Sequence, residues 1–258
     1  MRLIFSVFAF ICTSLISCSN SYQQSQNLEI PINTIERAEN IYYRLGYTVS
    51  FNPELNIPNW VAWELNSSKL VEKESRAGHF YPDPDIPRGI AVETGDYSNS
   101  GYDRGHMCPA ADNKWDKQAM RESFYMTNIC PQHHNLNRGD WKELEDDCRR
   151  WVEESGTIYI ACGPILYKND ISYIGEERKI RVPNAFFKVI LAGLDEGKPR
   201  AIGFIYKNAS GNNPLDHYVN SVDQVERITG LDFFSQLPDD VENEIESNYL
   251  SFASAKMM

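Results

Sequence analysis

An α+β fold is the expectation from three features of the chain. Short runs rich in Ile, Val, Phe and Tyr, bounded by Gly or Pro, recur as core strands do. Stretches with apolar residues at helical spacing are interspersed among them. Beyond Leu28 neither a Gly/Ser or Pro-rich linker nor an internal repeat of roughly 20–50 residues divides the chain, so residues 28–258 read as one domain. Composition agrees: 42% of the 258 residues are apolar and 12% aromatic, which excludes collagen, coiled coil and wholesale disorder. The 25 Lys and Arg against 36 Asp and Glu leave a net charge of −11. A broad basic surface is thereby disfavoured, whereas a compact basic cleft is still permitted.

The elements follow in order. Residues 3–16 form an apolar run after Met1-Arg2, interrupted only by Ser6, Thr13 and Ser14. At well under the ~20 residues of a bilayer-spanning helix it reads as a signal peptide over residues 1–17. Leu15-Ile16-Ser17-Cys18 then resembles a bacterial lipobox, which would lipidate Cys18 and hold the protein on a membrane. Residues 18–27 carry no charge and read as a tether. An alternative is an ordinary cleaved signal with free secretion. Residues 61–65 alternate as a half-buried strand, and residues 82–102, with three prolines and three glycines, form a surface connection. Residues 139–154 predict a helix burying Trp141, Leu144, Cys148, Trp151 and Val152 and stopping at Gly156. On its wheel Glu145 and Arg149 lie about 40° and 80° from Trp141, at the edge of the buried stripe. Residues 157–162, 185–192 and 201–206 predict core strands. A helix with Asp216 as N-cap is expected next, carrying Val219, Val222, Val225 and Ile228 to Gly230. The acids Asp239, Asp240, Glu242, Glu244 and Glu246 predict a solvated helix face after Pro238.

Beyond the leader four cysteines remain: Cys108, Cys130, Cys148 and Cys162. An even count in an exported protein suggests disulfides, with three possible connectivities. His106, His133 and His134 lie near two of them, but no CxxC or HxxxH spacing supports structural zinc.

Unusual residues crowd between Gly101 and Trp151. Asp103-Arg104-Gly105-His106 opens the block, Asn128 precedes Cys130-Pro131-Gln132, and Asn137 stands eight residues before Glu145. Phosphodiester hydrolysis needs a base, a cation to neutralise developing charge, and cationic donors for the phosphate oxygens. His106 titrates in the right range for the base. Asn137 offers a neutral oxygen that would leave most of a Mg²⁺ shell to water. Arg104 and Arg149 supply the cationic donors.

The block resembles the DNA/RNA non-specific endonucleases, the ββα-metal nucleases that include endonuclease G. The family pattern is met in order by Asp103 to His106, Asn128, Pro131-Gln132, Asn137, Trp141 and Leu144-Glu145. Similarity continues through Cys162-Gly163-Pro164, Val182 to Lys188 and Thr229 to Pro238, covering roughly residues 57–246. The resemblance implies a ββα-metal (His-Me finger) fold, with a central, mostly antiparallel sheet flanked by helices. It also implies Mg²⁺, with Mn²⁺ as a substitute, DNA and RNA as substrates without base preference, and 5′-phosphate ends. Carried over by position, it makes His106 the general base, Asn137 the direct metal ligand and Glu145 the hydrogen-bond partner of water on the metal. Asn128 would orient the site, Arg104 would support the transition state, and Arg149 matches a family arginine on the same helix. Arg76 matches an upstream family arginine only approximately. The cysteines stand where the family requires none, which argues for a local disulfide over a catalytic thiol. Taken singly, His106 suits a surface histidine, Asn137 a helix cap, and Glu145 with Arg149 an i,i+4 ion pair worth ~0.2–0.5 kcal/mol. A non-catalytic nucleic-acid-binding lipoprotein would be expected to have lost His106 or Asn137, and a structural envelope lipoprotein using the fold only as scaffold is the other alternative, which activity with and without EDTA separates from the enzyme. Residues 103–151 hold eight basic and nine acidic side chains, so any basic cleft is small and binding salt-sensitive.

Overall fold

The computed structural model describes residues 27–247; the leader, Cys18 and nearly all of the tether lie outside them. The chain enters through three antiparallel strands, β1 (Asn40–Tyr43), β2 (Thr48–Asn52) and β3 (Ile57–Leu65). After the turn-rich connection comes β4 (Asp103–His106), then helix α1 (Lys117–Ser123), β5 (Ile129–Gln132), α2 (His134–Arg138) and α3 (Asp140–Ser155). Strands β6 (Ile158–Ile165), β7 (Ala185–Ala192) and β8 (Arg200–Lys207) follow, then β9 (Val219–Asn220), α4 (Val222–Thr229) and α5 (Asp239–Ser247). Seven strands pair antiparallel in the order β9-β8-β7-β6-β3-β2-β1, while β4 and β5 form a separate ribbon. The mixed helix and antiparallel-sheet architecture expected from the sequence is present.

Both faces of the sheet are covered, so the central strands are apolar on both sides. In β6, Ile158, Ile160 and Cys162 enter one core while Tyr159 and Ala161 enter the other, as a period of two requires. The first core is capped by α3 and the ribbon: Trp141 lies 5.6 Å from Phe186, and Trp151 stacks on Phe204 at 6.2 Å. The second is covered by α4, α5 and the segment holding Phe233, Phe234 and Leu237. Among the described residues no helix is long and apolar enough to cross a membrane.

Helix α3 matches the expected 139–154 to within a residue. Asp140 and Glu143 in its first turn favour the positive end of the helix, and Gly156 ends it at φ +74°. The next expected helix starts later than its apolar spacing suggests. Asp216 sits in a 3₁₀ turn and caps nothing, and Val219 pairs with Phe204 in the sheet. Ser221 is the cap of α4, its hydroxyl accepting from Gln224 N at 3.2 Å, because a β-branched Val219 fits a strand edge and a serine fits the cap. The acidic helix is α5, but its face is not wholly solvated. Glu246 is 5% exposed beside buried Ile245.

Candidate active site

Strands β4 and β5 pair Asp103 with Gln132, Arg104 with Pro131, Gly105 with Cys130 and His106 with Ile129. Gly105 is needed for that approach, since a Cβ there would lie 2.6 Å from Gln132 Cβ. The exit of β4 is fixed by Asn128, which is fully buried. Its Nδ2 donates to Cys108 O at 2.9 Å and Ser123 O at 2.8 Å, and its Oδ1 accepts from Cys108 N at 2.9 Å. Asn128 is thus a backbone clamp two residues beyond the end of the strand that carries His106.

His106 is 8% exposed, with its ring 4.7 Å from Phe124 and 5.3 Å from Phe80. Nε2 is enclosed and has no hydrogen-bond partner among the described residues. Burial, followed by the positive charge of Arg76, pushes the imidazole down to about 3, so it is neutral at physiological pH. The Arg76 guanidinium lies 5.2 Å over the Phe124 ring. Sequence spacing matched this arginine only loosely; the Phe80–Phe124 pair brings it to the histidine. Arg104 donates to Thr94 O at 2.7 Å and lies 5.7 Å over both Phe80 and Tyr97.

At the start of the same strand Asp103 faces α2. It accepts from Asn137 Nδ2 at 2.9 Å, lies 3.2 Å from His134 Nδ1 and 3.4 Å from Arg138 Nε. Burial alone would raise the Asp103 carboxyl, but the hydrogen bonds from Asn137 and His134 outweigh it and hold it below its usual value. Asn137 is no cap: His133 caps α2, and Asn137 N bonds back to His133 O inside the helix. With its amide nitrogen tied to Asp103, Asn137 keeps Oδ1 without a protein hydrogen bond among the described residues. A half-buried neutral oxygen, oriented through its own amide, fits a hard cation that retains most of its water.

The two α3 residues do not pair with each other. Arg149 Nη1 binds buried Asp112 at 2.7 Å, and Nη2 binds Asp146. Asp112 also accepts from Trp63 Nε1 at 3.1 Å. Burial raises the half-buried Glu145 carboxyl to about 7, against the pull of Lys188. Lys188 is fully buried in β7, opposite Cys162 of β6, with Nζ 4.4 Å over the Trp141 ring. Asp112 and Lys188 escaped sequence reasoning. Lys188 had one available signal, as the single charge in the apolar run 185–192; Asp112 had none.

The cysteine expectation is corrected by the structure. Cys108, Cys130, Cys148 and Cys162 are all free and buried in the core beneath α3. They behave as small apolar side chains: Cys162 donates to Met107 O at 3.4 Å, and Cys108 accepts from Asn113 Nδ2 at 3.2 Å. Burial pushes the Cys148 and Cys162 thiols up to about 12, away from nucleophilic use.

Comparison with known proteins now bears on this arrangement. The family model for DNA/RNA non-specific endonucleases matches residues 24–240. The chain is 36% identical over 210 residues to the mitochondrial Nuclease 1 of Schizosaccharomyces pombe, covering 75% of this chain and 65% of that protein. It is 36% identical over 214 residues to the mitochondrial nuclease EXOG of Danio rerio, covering 78% and 62%. A nuclease of Nostoc is 36% identical over 211 residues, with 78% and 75% covered. The chain therefore spans less than two thirds of the first two relatives. The structure of an EndoG/EndoGI complex superposes with a TM-score of 0.72 at 25% identity, covering 80% of this chain and 90% of that one. With a ribbon and helix presenting the expected residues, and a match over most of its length, the chain belongs to the DNA/RNA non-specific endonuclease family.

Proposed function

We propose that this chain is a divalent-metal-dependent endonuclease that hydrolyses phosphodiester bonds of DNA and RNA without base preference, with Mg²⁺ as its ion. The observation that carries this reading is the neutral, enclosed His106 flanked by Arg76 and Arg104 on the strand whose first residue anchors Asn137. With Nε2 enclosed, Nδ1 is the nitrogen left to take a proton from attacking water. Its depressed basicity keeps the acceptor free at physiological pH. Exposed Arg76, over Phe124, and half-buried Arg104, over Phe80, would draw the scissile phosphate towards His106 and stabilise its added charge. Asn137 Oδ1, and Glu145 through water, would hold Mg²⁺, which when bound supplies neutralisation of charge at the phosphate and leaving oxygen. Glu145 serves this role ionised, with Lys188 favouring that form. Arg149, committed to Asp112 and Asp146, orients Glu145's helix turn rather than reaching for substrate. Asn128 holds the backbone from which His106 projects.

An activity gel with plasmid DNA and RNA tests the reading. His106→Ala should lower turnover 10²–10⁴-fold in a folded protein, and EDTA should abolish activity. Asn137→Ala should raise the Mg²⁺ requirement, and an unchanged metal titration would place the ligand elsewhere. We further propose residues 28–258 as one nuclease domain carried on a membrane through lipidated Cys18. Fatty-acid analogue labelling lost in Cys18→Ser, with activity moving from membranes to a soluble or precursor form, is the expected outcome.

A further inference from the structure

On the sheet face away from the ribbon, α4 and α5 bring carboxylates together with no ion-pair partner among the described residues. One carboxylate oxygen from each of Asp223, Glu226 and Glu246 lies within 4.8 Å of the other two. Asp223 and Glu226 are three residues apart on α4 and so share a face, while Glu246 reaches them from the last turn of α5. Phe233 N donates to Glu226 Oε1 at 2.8 Å and fixes that carboxylate. The charges acting on Glu226 and Glu246 are all carboxylates, with Asp232 and Glu242 adding to the three. Arg227, on the same helix, donates to Gln224 instead.

A second observation points to a ligand. Glu246 is 95% buried, and its Oε1 is enclosed with no hydrogen-bond donor among the described residues. An enclosed carboxylate oxygen without a donor is costly, and three carboxylates this close disfavour one another's ionised forms. Consistent with this, burial followed by the neighbouring acids pushes Glu226 up to about 7 and Glu246 up to about 9. Either protons or a cation must supply the missing positive charge.

We infer that Asp223, Glu226 and Glu246 form a second hard-cation site, suited to Ca²⁺, which clamps α5 onto α4. The donors are all oxygen, as Ca²⁺ prefers. Oxygens that all lie within 4.8 Å of one another can be spanned by Ca²⁺, which binds oxygen at about 2.3–2.6 Å in a flexible geometry, whereas Mg²⁺ demands a near-ideal octahedron and keeps its water. Water and the flanking Asp232 and Glu242 can complete its coordination. The site stands apart from the proposed catalytic metal and does not depend on it.

The test uses the full chain carrying Asn137→Ala, which removes the direct ligand of the other ion, in equilibrium dialysis against Ca²⁺ with parallel thermal melts. One Ca²⁺ per chain is expected, with a Kd of roughly 10⁻⁴–10⁻³ M. At ten times that Kd the folding equilibrium should gain about tenfold. Adding Asp223→Asn and Glu246→Gln should abolish both effects. These changes relieve repulsion, so the protein should fold in EDTA at least as well as its parent. Absence of bound Ca²⁺ in Asn137→Ala, or undiminished binding after the added changes, overturns the site. Mg²⁺ binding as tight as Ca²⁺ at these residues overturns the choice of ion.

Discussion

The two faces of one sheet hold buried acids in opposite ways. Beneath α3, Asp112 and Glu145 share their surroundings with Arg149 and Lys188, two acids against two bases. On the other face Asp223, Glu226 and Glu246 gather, and among the described residues the charges that act most on Glu226 and Glu246 are carboxylates. In the first cluster acids and bases are matched in number, and Asp112 and Arg149 fix one another's orientation before any ligand arrives. In the second the missing charge must come from outside the protein. Matched burial builds rigidity, and unmatched burial builds dependence on pH or on an ion.

Removing one partner from the matched cluster should produce the largest change in stability. Arg149→Met strands Asp112, whose side chain is 1% exposed, and should cost about 3 kcal/mol, roughly 6–12 °C in a thermal melt. A combined Asp112→Asn, Arg149→Met protein should recover part of that loss; additive losses would mean the pair is not coupled.

In the unmatched cluster the sign reverses. Glu226 and Glu246 bind protons more tightly when folded, at about 7 and about 9 against 4.5. Without metal, the folded state holds protons that the unfolded chain has lost, so their stabilisation declines as pH rises from about 4.5 to 9. Glu246→Gln should raise stability by about 1 kcal/mol at pH 8 in EDTA and flatten the slope above pH 7, as pH-dependent melts would show. A lower melting temperature at pH 8 would refute the account.

A subtler change sharpens the comparison. Lys188 holds the Glu145 carboxyl down against burial, so Lys188→Met should move its titration above about 7 in metal-free protein, read by carboxyl carbon NMR. The smallest effect expected is none at all. A thiol reductant should leave the melting temperature unaltered, because all four core cysteines are free.

Much of this was legible in the chain. The run 185–192 became β7 residue for residue, because an apolar segment between Pro183 and Gly193 has few other options. Asp103 to His106 and Asn137 came together as the motif implied, on a ribbon and the short helix after it, because the family spacing is local. What resisted was whatever depends on a distant neighbour. Arg149 turned to Asp112, 37 residues away, instead of to Glu145 one turn before it. Cysteine parity suggested bonds that the core does not contain, since free thiols pack well as small apolar groups. Glu246 read as solvated until α5 lay down on the sheet with Ile245. Val219 kept the helical spacing of its neighbours yet joined a strand, where an edge hydrogen-bond ladder outweighed propensity.

Segments from near the start and near the end of the described residues meet at a small antiparallel pair, Ile32–Asn33 with Leu231–Asp232. Arg37 reinforces it by donating to Thr229 O and Gly230 O across 192 and 193 residues of sequence. During synthesis at about 5–20 residues per second, the first of these strands waits roughly 10–40 s for its partner. The strands of the seven-stranded sheet as far as β8 are all made before that partner appears, so this pair is among the last to form. The pair therefore works as a latch between the start of the domain and the segment that carries Phe233 and Phe234, and removing the residues before Asn40 should loosen that edge of the second core while leaving the order of the seven-stranded sheet intact.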